Sequence, residues 1–268
     1  MRSIEKGLEK AIRERESRSS PDLFKLQKEW NDKSLDFSKL SAYLVTILDS
    51  KSLAAEQFKR LRTQVMKKMR SRMENTLMVT SATRGEGKTT TALNLAVSVA
   101  QGMNETVLMM DTDFRKPGVH TYLGIEAKKG LVDFLRGEAE IPELLVKTEI
   151  PKLILLPSGQ PPENPSELLS SERMSQLIRE IKSRYEDRFI ILDTSPINVF
   201  TDASILIPLV EGVLMVVQDG VTPREYVLRA ISQIEREKLL GICLNMISAP
   251  ESLQDSYYYY RDYDKEGK

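Results

Sequence analysis

SATRGEGKTTTALNLA, residues 81–96, decides how the rest of the chain is read. Ala82 to Thr89 follow the P-loop pattern, with Ala82 where the strict form has glycine and Gly87-Lys88-Thr89 intact. Gly85 and Gly87 let the backbone close around phosphate oxygens, while successive N–H groups and the following helix N-terminus supply partial positive charge. Lys88 reaches the β- and γ-phosphates as a point charge, and the Thr89 hydroxyl completes a Mg²⁺ shell. Gly85, Glu86, Gly87, Lys88, Thr89 and Thr90 are thus the candidate nucleotide-binding run, with ATP and Mg²⁺ as the implied cofactors.

Outward from this loop, short apolar runs alternate with helical segments: TLMVTSA, TVLMMDTD, KLILLPSG, RFIILDTSP, GVLMVVQDG and LLGICLNMI. Runs this short and continuous fit strands buried on both faces, with the amphipathic stretches between them as crossover helices. The expectation is an α/β P-loop NTPase fold, a mostly parallel sheet with helices on both faces, formed by residues 51–250 as one domain. Open parallel sheets bind ligands at the carboxyl ends of their strands. There RFIILDTSP delivers Asp193, expected to hold Mg²⁺, and VLMMDTDFRKPG delivers Asp111 and Asp113 on one side of the pleat. Two more carboxylates are surplus to one metal ion, which leaves one free to accept a proton from an incoming nucleophile. Arg115 and Lys116 follow directly and can neutralise phosphate charge.

Composition narrows the chemistry. Lysine plus arginine equals aspartate plus glutamate at 39 each in 268 residues, so no global charge bias points to nucleic acid or an anionic membrane. The single cysteine, Cys243, sits in an apolar run and reads as a buried, inert thiol; the single histidine, His120, excludes multi-histidine metal sites. No stretch approaches 18 consecutive apolar residues, and the charged opening MRSIEKGLEKAIRERESRSS lacks a signal peptide's apolar core, so a cytoplasmic protein is expected.

Residues 1–50 read as an N-terminal helix (Ile4, Leu8, Ile12) followed by a polar linker with some docking capacity, Trp30 being a packing anchor. In LAAEQFKRLRTQVMKKMRSRM, Phe58, Leu61 and Val65 share a helix face, with Glu56, Lys59 and Arg60 opposite and Arg62 on the flank. Residues 251–268 form a flexible tail carrying Tyr257, Tyr258, Tyr259, Tyr260 and Tyr263 among charges. Such a run shows no one-sided apolar pattern, so it reads either as an edge strand or sticky tail, or as the substrate itself.

A P-loop, a strand ending in D-x-D, a second aspartate-ending strand and a C-terminal tyrosine cluster together resemble the bacterial tyrosine kinases over roughly residues 50–263. GLVDFLRGE and LPSGQPPENPSELL look like that family's connecting segments. The absence of membrane spans resembles its separate cytoplasmic kinases of the CpsD/CapB type, and SIEKGLEKA is similar to the start of exosortase-associated tyrosine autokinases. The resemblance implies an ATP-dependent tyrosine autokinase that modifies the tail of a neighbouring subunit and regulates exopolysaccharide or capsule synthesis or export. It implies Lys88 and Thr89 on phosphate and Mg²⁺, Asp193 on the metal with Asp111 beside it, Asp111 as base assisted by Asp113, and Asn245 at the adenine. It also implies a homo-oligomeric ring through Glu56, Lys59 and Arg62, where lysine replaces an arginine and loses its bidentate fork. Ser195 departs from a proline common in the family. The implied partners are a membrane-anchored polysaccharide co-polymerase, which would recruit the kinase to the inner face of the plasma membrane, and a tyrosine phosphatase.

Two rival readings share these features. A ParA/MinD-type partition or positioning ATPase has the same fold and D-x-D strand but carries a lysine at the position of Thr83. A non-catalytic nucleotide-gated scaffold would use the tyrosines as a contact surface only.

Overall fold

In the computed structural model the described residues are 37–102, 105–184 and 188–247. The N-terminal helix, Trp30 and all five tail tyrosines lie outside them.

Seven strands form one sheet in the order β3-β4-β2-β5-β1-β6-β7. They are β1 (Thr76–Ser81), β2 (Thr106–Asp111), β3 (Val146–Lys147), β4 (Leu153–Leu156), β5 (Arg188–Asp193), β6 (Gly212–Gln218) and β7 (Leu239–Asn245). Every pairing is parallel except β3 with β4. All six apolar runs became strands, and β1, β4 and β5 are buried along their whole length. β7 departs from that expectation: Ile242 is 44% and Leu244 52% exposed. It pairs on one side only, and its outward-facing residues lack a covering helix among the described residues. Cys243 points the other way, against the core, where burial pushes its thiol up to about 11 and keeps it protonated.

The helix after the P-loop, Lys88–Ala100, is apolar nearly all round because it is enclosed nearly all round, with every residue from Thr91 to Ala100 buried. One side of it faces the sheet. The other meets two preceding helices, α1 (Val45–Leu48) and α2 (Leu53–Arg70), which makes the P-loop helix α3. Asn94 is the polar exception inside α3. Its Oδ1 accepts from the Thr46 N–H at 3.0 Å and the Thr46 hydroxyl at 2.8 Å, and its Nδ2 donates to the Tyr43 and Thr90 carbonyls. Leu44 beside it is fully buried. Residues 37–50, read as linker, are therefore part of the domain: their polarity conceals a docking contact made through one buried asparagine.

Ser52 caps α2 by accepting the Ala55 N–H at 3.1 Å. The buried line of α2 runs through Ala55, Val65 and Met69, with Leu61 packed alongside; Phe58 is only half-buried. Met69 reaches Gly212, where a Cβ would lie 2.8 Å from its sulfur, so α2 packs directly over the start of β6.

Candidate active site

The carboxyl ends of β1, β2 and β5 converge because these strands are neighbours in register, with Val79 and Asp111 both opposite Asp193. This places the P-loop and both aspartate-bearing turns at one edge of the sheet.

The loop before α3 is held from outside. Gly85 and Gly87 both have φ of 83°, and a Cβ on Gly87 would lie 2.1 Å from Asn245 Nδ2, so only glycine fits there. Asn245, at the end of β7, donates through Nδ2 to the Glu86 carbonyl at 2.8 Å. The Glu86 side chain turns inward and is almost wholly buried. It accepts the Thr83 N–H at 2.6 Å, the Gln218 N–H at 3.5 Å and the Thr222 hydroxyl. Glu86 was expected on the nucleotide; in the structure its carboxylate braces the loop from inside. Thr90 contacts the Tyr122 hydroxyl at 3.2 Å.

Lys88 occupies the centre of a carboxylate cluster. Its Nζ lies 2.6 Å from Asp113 Oδ2 and 3.7 Å from Asp193 Oδ1. Burial by itself lowers the ammonium's proton affinity, but Asp193 and Asp113 outweigh it and hold Lys88 above its ordinary value. The Thr89 hydroxyl donates to Asp193 Oδ2 at 2.6 Å, while Asp193 Oδ1 is buried without a hydrogen bond. Burial pushes Asp193 up to about 6, with Lys88 and Thr89 limiting the rise.

An orphaned carboxylate oxygen beside a threonine hydroxyl is the donor set of a Mg²⁺ ion completed by water and substrate phosphate. The residues present therefore fit Mg²⁺, with Thr89 and Asp193 as its holders. Asp111 is directed elsewhere. Its Oδ2 accepts the Gly118 and Val119 N–H groups at 3.0 and 3.1 Å, and Oδ1 accepts the Asp113 N–H at 3.3 Å. Burial, reinforced by Asp193, pushes Asp111 up to about 8 against the pull of those N–H donors.

Arg115, expected to neutralise phosphate, is engaged with a carboxylate of its own chain. Its Nε and Nη2 donate to the fully buried Asp202 at 3.0 and 3.2 Å, and Nη2 also donates to Ser166 Oγ at 3.0 Å. Ser195, the departure noted above, donates to the same carboxylate at 3.3 Å. Asp202 escaped the sequence reading because it follows no motif, and Ser166, inside the run LPSGQPPENPSELL, was not singled out there.

On α2 the Glu56 and Lys59 side chains pair with each other at 3.1 Å and remain partly exposed. Arg62 does not join them: its Nη1 donates to the Ser98 carbonyl at 2.7 Å, which uses it to hold the end of α3.

An AAA domain family model matches residues 74–237. The tyrosine-protein kinase YwqD of Bacillus subtilis is 35% identical over 227 residues, covering 84% of this chain and 94% of that one. The chain belongs to the bacterial tyrosine kinases. Among solved structures, the chimerical protein CapA2B2 superposes with a TM-score of 0.71 at 31% identity, over 84% of this chain and 99% of that one. The kinase domain of the Escherichia coli tyrosine kinase ETK gives 0.72 at 26% identity, over 82% and 88%. The septum site-determining protein MinD of Pyrococcus horikoshii, at 0.53 and 22% identity over 68% of this chain and 76% of that one, shares the fold alone. Of the readings left open by the sequence, kinase activity on tyrosine stands and the positioning ATPase does not.

Proposed function

We propose that this bacterial tyrosine kinase transfers the γ-phosphoryl group of Mg²⁺-ATP to the C-terminal tyrosines of a neighbouring copy, and so regulates polysaccharide synthesis or export. The observation that carries the reading is the meeting of Lys88 with Asp113 and Asp193 at one sheet edge. This arrangement combines a phosphate grip, a metal holder and spare carboxylates.

In the proposed reaction Lys88 leaves Asp113 for the β- and γ-phosphates; Thr89 and Asp193 would hold Mg²⁺, which when bound would supply positive charge to the phosphate oxygens. A tyrosine hydroxyl oxygen bonds the γ-phosphorus as the bond to the β–γ bridging oxygen breaks, and ADP leaves. Asp111 takes the hydroxyl proton. Its burial beside Asp193 brings its proton affinity near neutral pH, where a general base works best. Asn245, braced against the P-loop, is assigned to the base of the nucleotide. Glu56 and Lys59 contribute to the contact between copies. A membrane-anchored co-polymerase and a phosphatase are the partners assigned, the first recruiting the kinase to the membrane's inner face. No described helix is long and apolar enough to cross a membrane.

The test is incubation of the full chain with Mg²⁺-ATP followed by phosphotyrosine mapping, beside Lys88→Met. Methionine fills similar volume but removes the charge that acts on the phosphates in the transition state. Phosphate on Tyr257–Tyr260 or Tyr263 in the native chain, absent in Lys88→Met, is the expected result. Free phosphate with no phosphotyrosine would support an ATPase instead.

A further inference from the structure

Two arginines from separate segments meet on one phenyl ring beside the phosphate loop. Arg84, a variable position of the P-loop, stacks its guanidinium 5.1 Å from the centre of the Phe200 ring. Arg115, two residues beyond Asp113, stacks 4.7 Å from the same centre. One phenyl ring thus joins the loop that holds phosphate to the turn that carries the Asp111–Asp113 pair. Cation–π contact fixes where both guanidinium groups sit.

The two arginines differ in charge balance. Arg115 is neutralised by Asp202, which is buried and also accepts from Ser166. Arg84 is exposed and has no carboxylate partner among the described residues. The cluster therefore carries one uncompensated positive charge. Val199, 42% exposed, lies next to Phe200 in sequence. Arg84 directly precedes Gly85 of the P-loop and Arg115 lies two residues past Asp113, so the shared ring ties together the two segments from which the expected phosphate site is built.

We infer that Arg84, seated on Phe200, is the acceptor-docking residue, and that it selects a tyrosine flanked by carboxylates. The inference rests on the trans-autokinase reading above. Within the chain's own tail, only Tyr263 has a carboxylate on both sides, Asp262 and Asp264; Tyr258 and Tyr259 have tyrosines on both sides. Tyr263 is accordingly the first acceptor, before phosphate accumulates on its neighbours. The shared chemistry is an aromatic ring for the apolar rim and one anion for Arg84, whose guanidinium can hold a carboxylate by two parallel hydrogen bonds.

The experiment uses full-length chains. The donor has Tyr257–Tyr260 and Tyr263 changed to Phe, so it cannot label itself there. The acceptor carries Lys88→Met and a tail that is either native or Asp262→Asn with Asp264→Asn. The readout is the ratio of initial labelling rates, native over neutralised tail, in which any general loss of donor activity cancels. With Arg84 present the expected ratio is about five, the upper range for one exposed ion pair. With Arg84→Gln it falls to about one, and Phe200→Leu, which removes the ring beneath the guanidinium, lowers it as well. Site mapping at low conversion should find Tyr263 labelled first. A ratio of one with the native donor, or a ratio that Arg84→Gln leaves unchanged, overturns the inference. Absence of any labelling by the native donor overturns the trans-autokinase reading along with it, and that failure is visible before the tails are compared.

Discussion

Lys88 and Asp113 form an ion pair of 2.6 Å at a position where the side chains are only 13% and 4% exposed. Lys88, which the proposed reaction places on phosphate, is thus paired with a carboxylate two residues past the end of β2. On that reading nucleotide competes with Asp113 for Lys88. Asp113→Asn removes the competitor while preserving shape. Mg²⁺-free ADP should bind this variant about tenfold more tightly, the scale of one charge-assisted hydrogen bond. Titration calorimetry checks it, and weaker binding would mean that Asp113 positions Lys88 rather than competing for it.

Asp111→Asn separates binding from chemistry. Nucleotide affinity should stay within a few-fold while phosphoryl transfer drops by roughly 10²-fold or more, as expected for loss of a general base. The same variant tests the electrostatics. In the native state Asp111 is pushed from 3.8 up to about 8 and Asp193 up to about 6. Between those values and the ordinary one the folded protein keeps protons that the unfolded chain has released, so stability falls as pH rises. Nucleotide-free, Mg²⁺-free protein should lose Tm between about pH 6 and about pH 8, and Asp111→Asn should flatten that decline. An equally steep fall in the variant would assign the protons to another group.

The contact between copies is best probed without touching Arg62, whose guanidinium holds the Ser98 carbonyl inside its own chain. Exchanging charges by Glu56→Lys with Lys59→Glu keeps their mutual pair. Monomer stability should then shift by no more than about 0.5 kcal/mol. Labelling between copies should fall several-fold, and light scattering at matched concentration should give a smaller mass than for the unphosphorylated native chain. Unchanged mass together with unchanged transfer would exclude these residues from the contact.

Asn94→Ala addresses the docking of residues 37–48. The change strands the Thr46 and Tyr43 groups that Asn94 now pairs inside the core. A loss of about 2–4 kcal/mol is expected from urea unfolding. A loss below about 0.5 kcal/mol would show the segment to be an accessory.

The architecture was legible because a parallel sheet writes itself plainly: each buried strand is a short apolar run, and two of them end in aspartate. That Lys88, Thr89 and Asp193 would lie together was legible too, since each sits at the carboxyl end of a strand or in the P-loop motif that follows one. The docking of Leu44 and Thr46 was not, because a buried polar contact across nearly 50 residues leaves no periodic pattern. The bond from Arg62 to the Ser98 carbonyl was hidden for a related cause: helix periodicity says which way a side chain points but not that a carbonyl waits at its end. The pairing of Arg115 with Asp202 depended on two turns meeting in space.

Asn245 touches the P-loop, and it is also where β7 ends and the chain departs towards its tyrosines. Tyr257 lies twelve positions beyond it and Tyr263 eighteen. At full extension of about 3.3–3.6 Å per residue these are leashes of about 40 and 60 Å, anchored beside each copy's own phosphate loop. If copies modify one another as proposed, this length sets an upper limit on how far apart they can stand. Tyr263 remains within reach across spacings at which Tyr257 has already run out of chain.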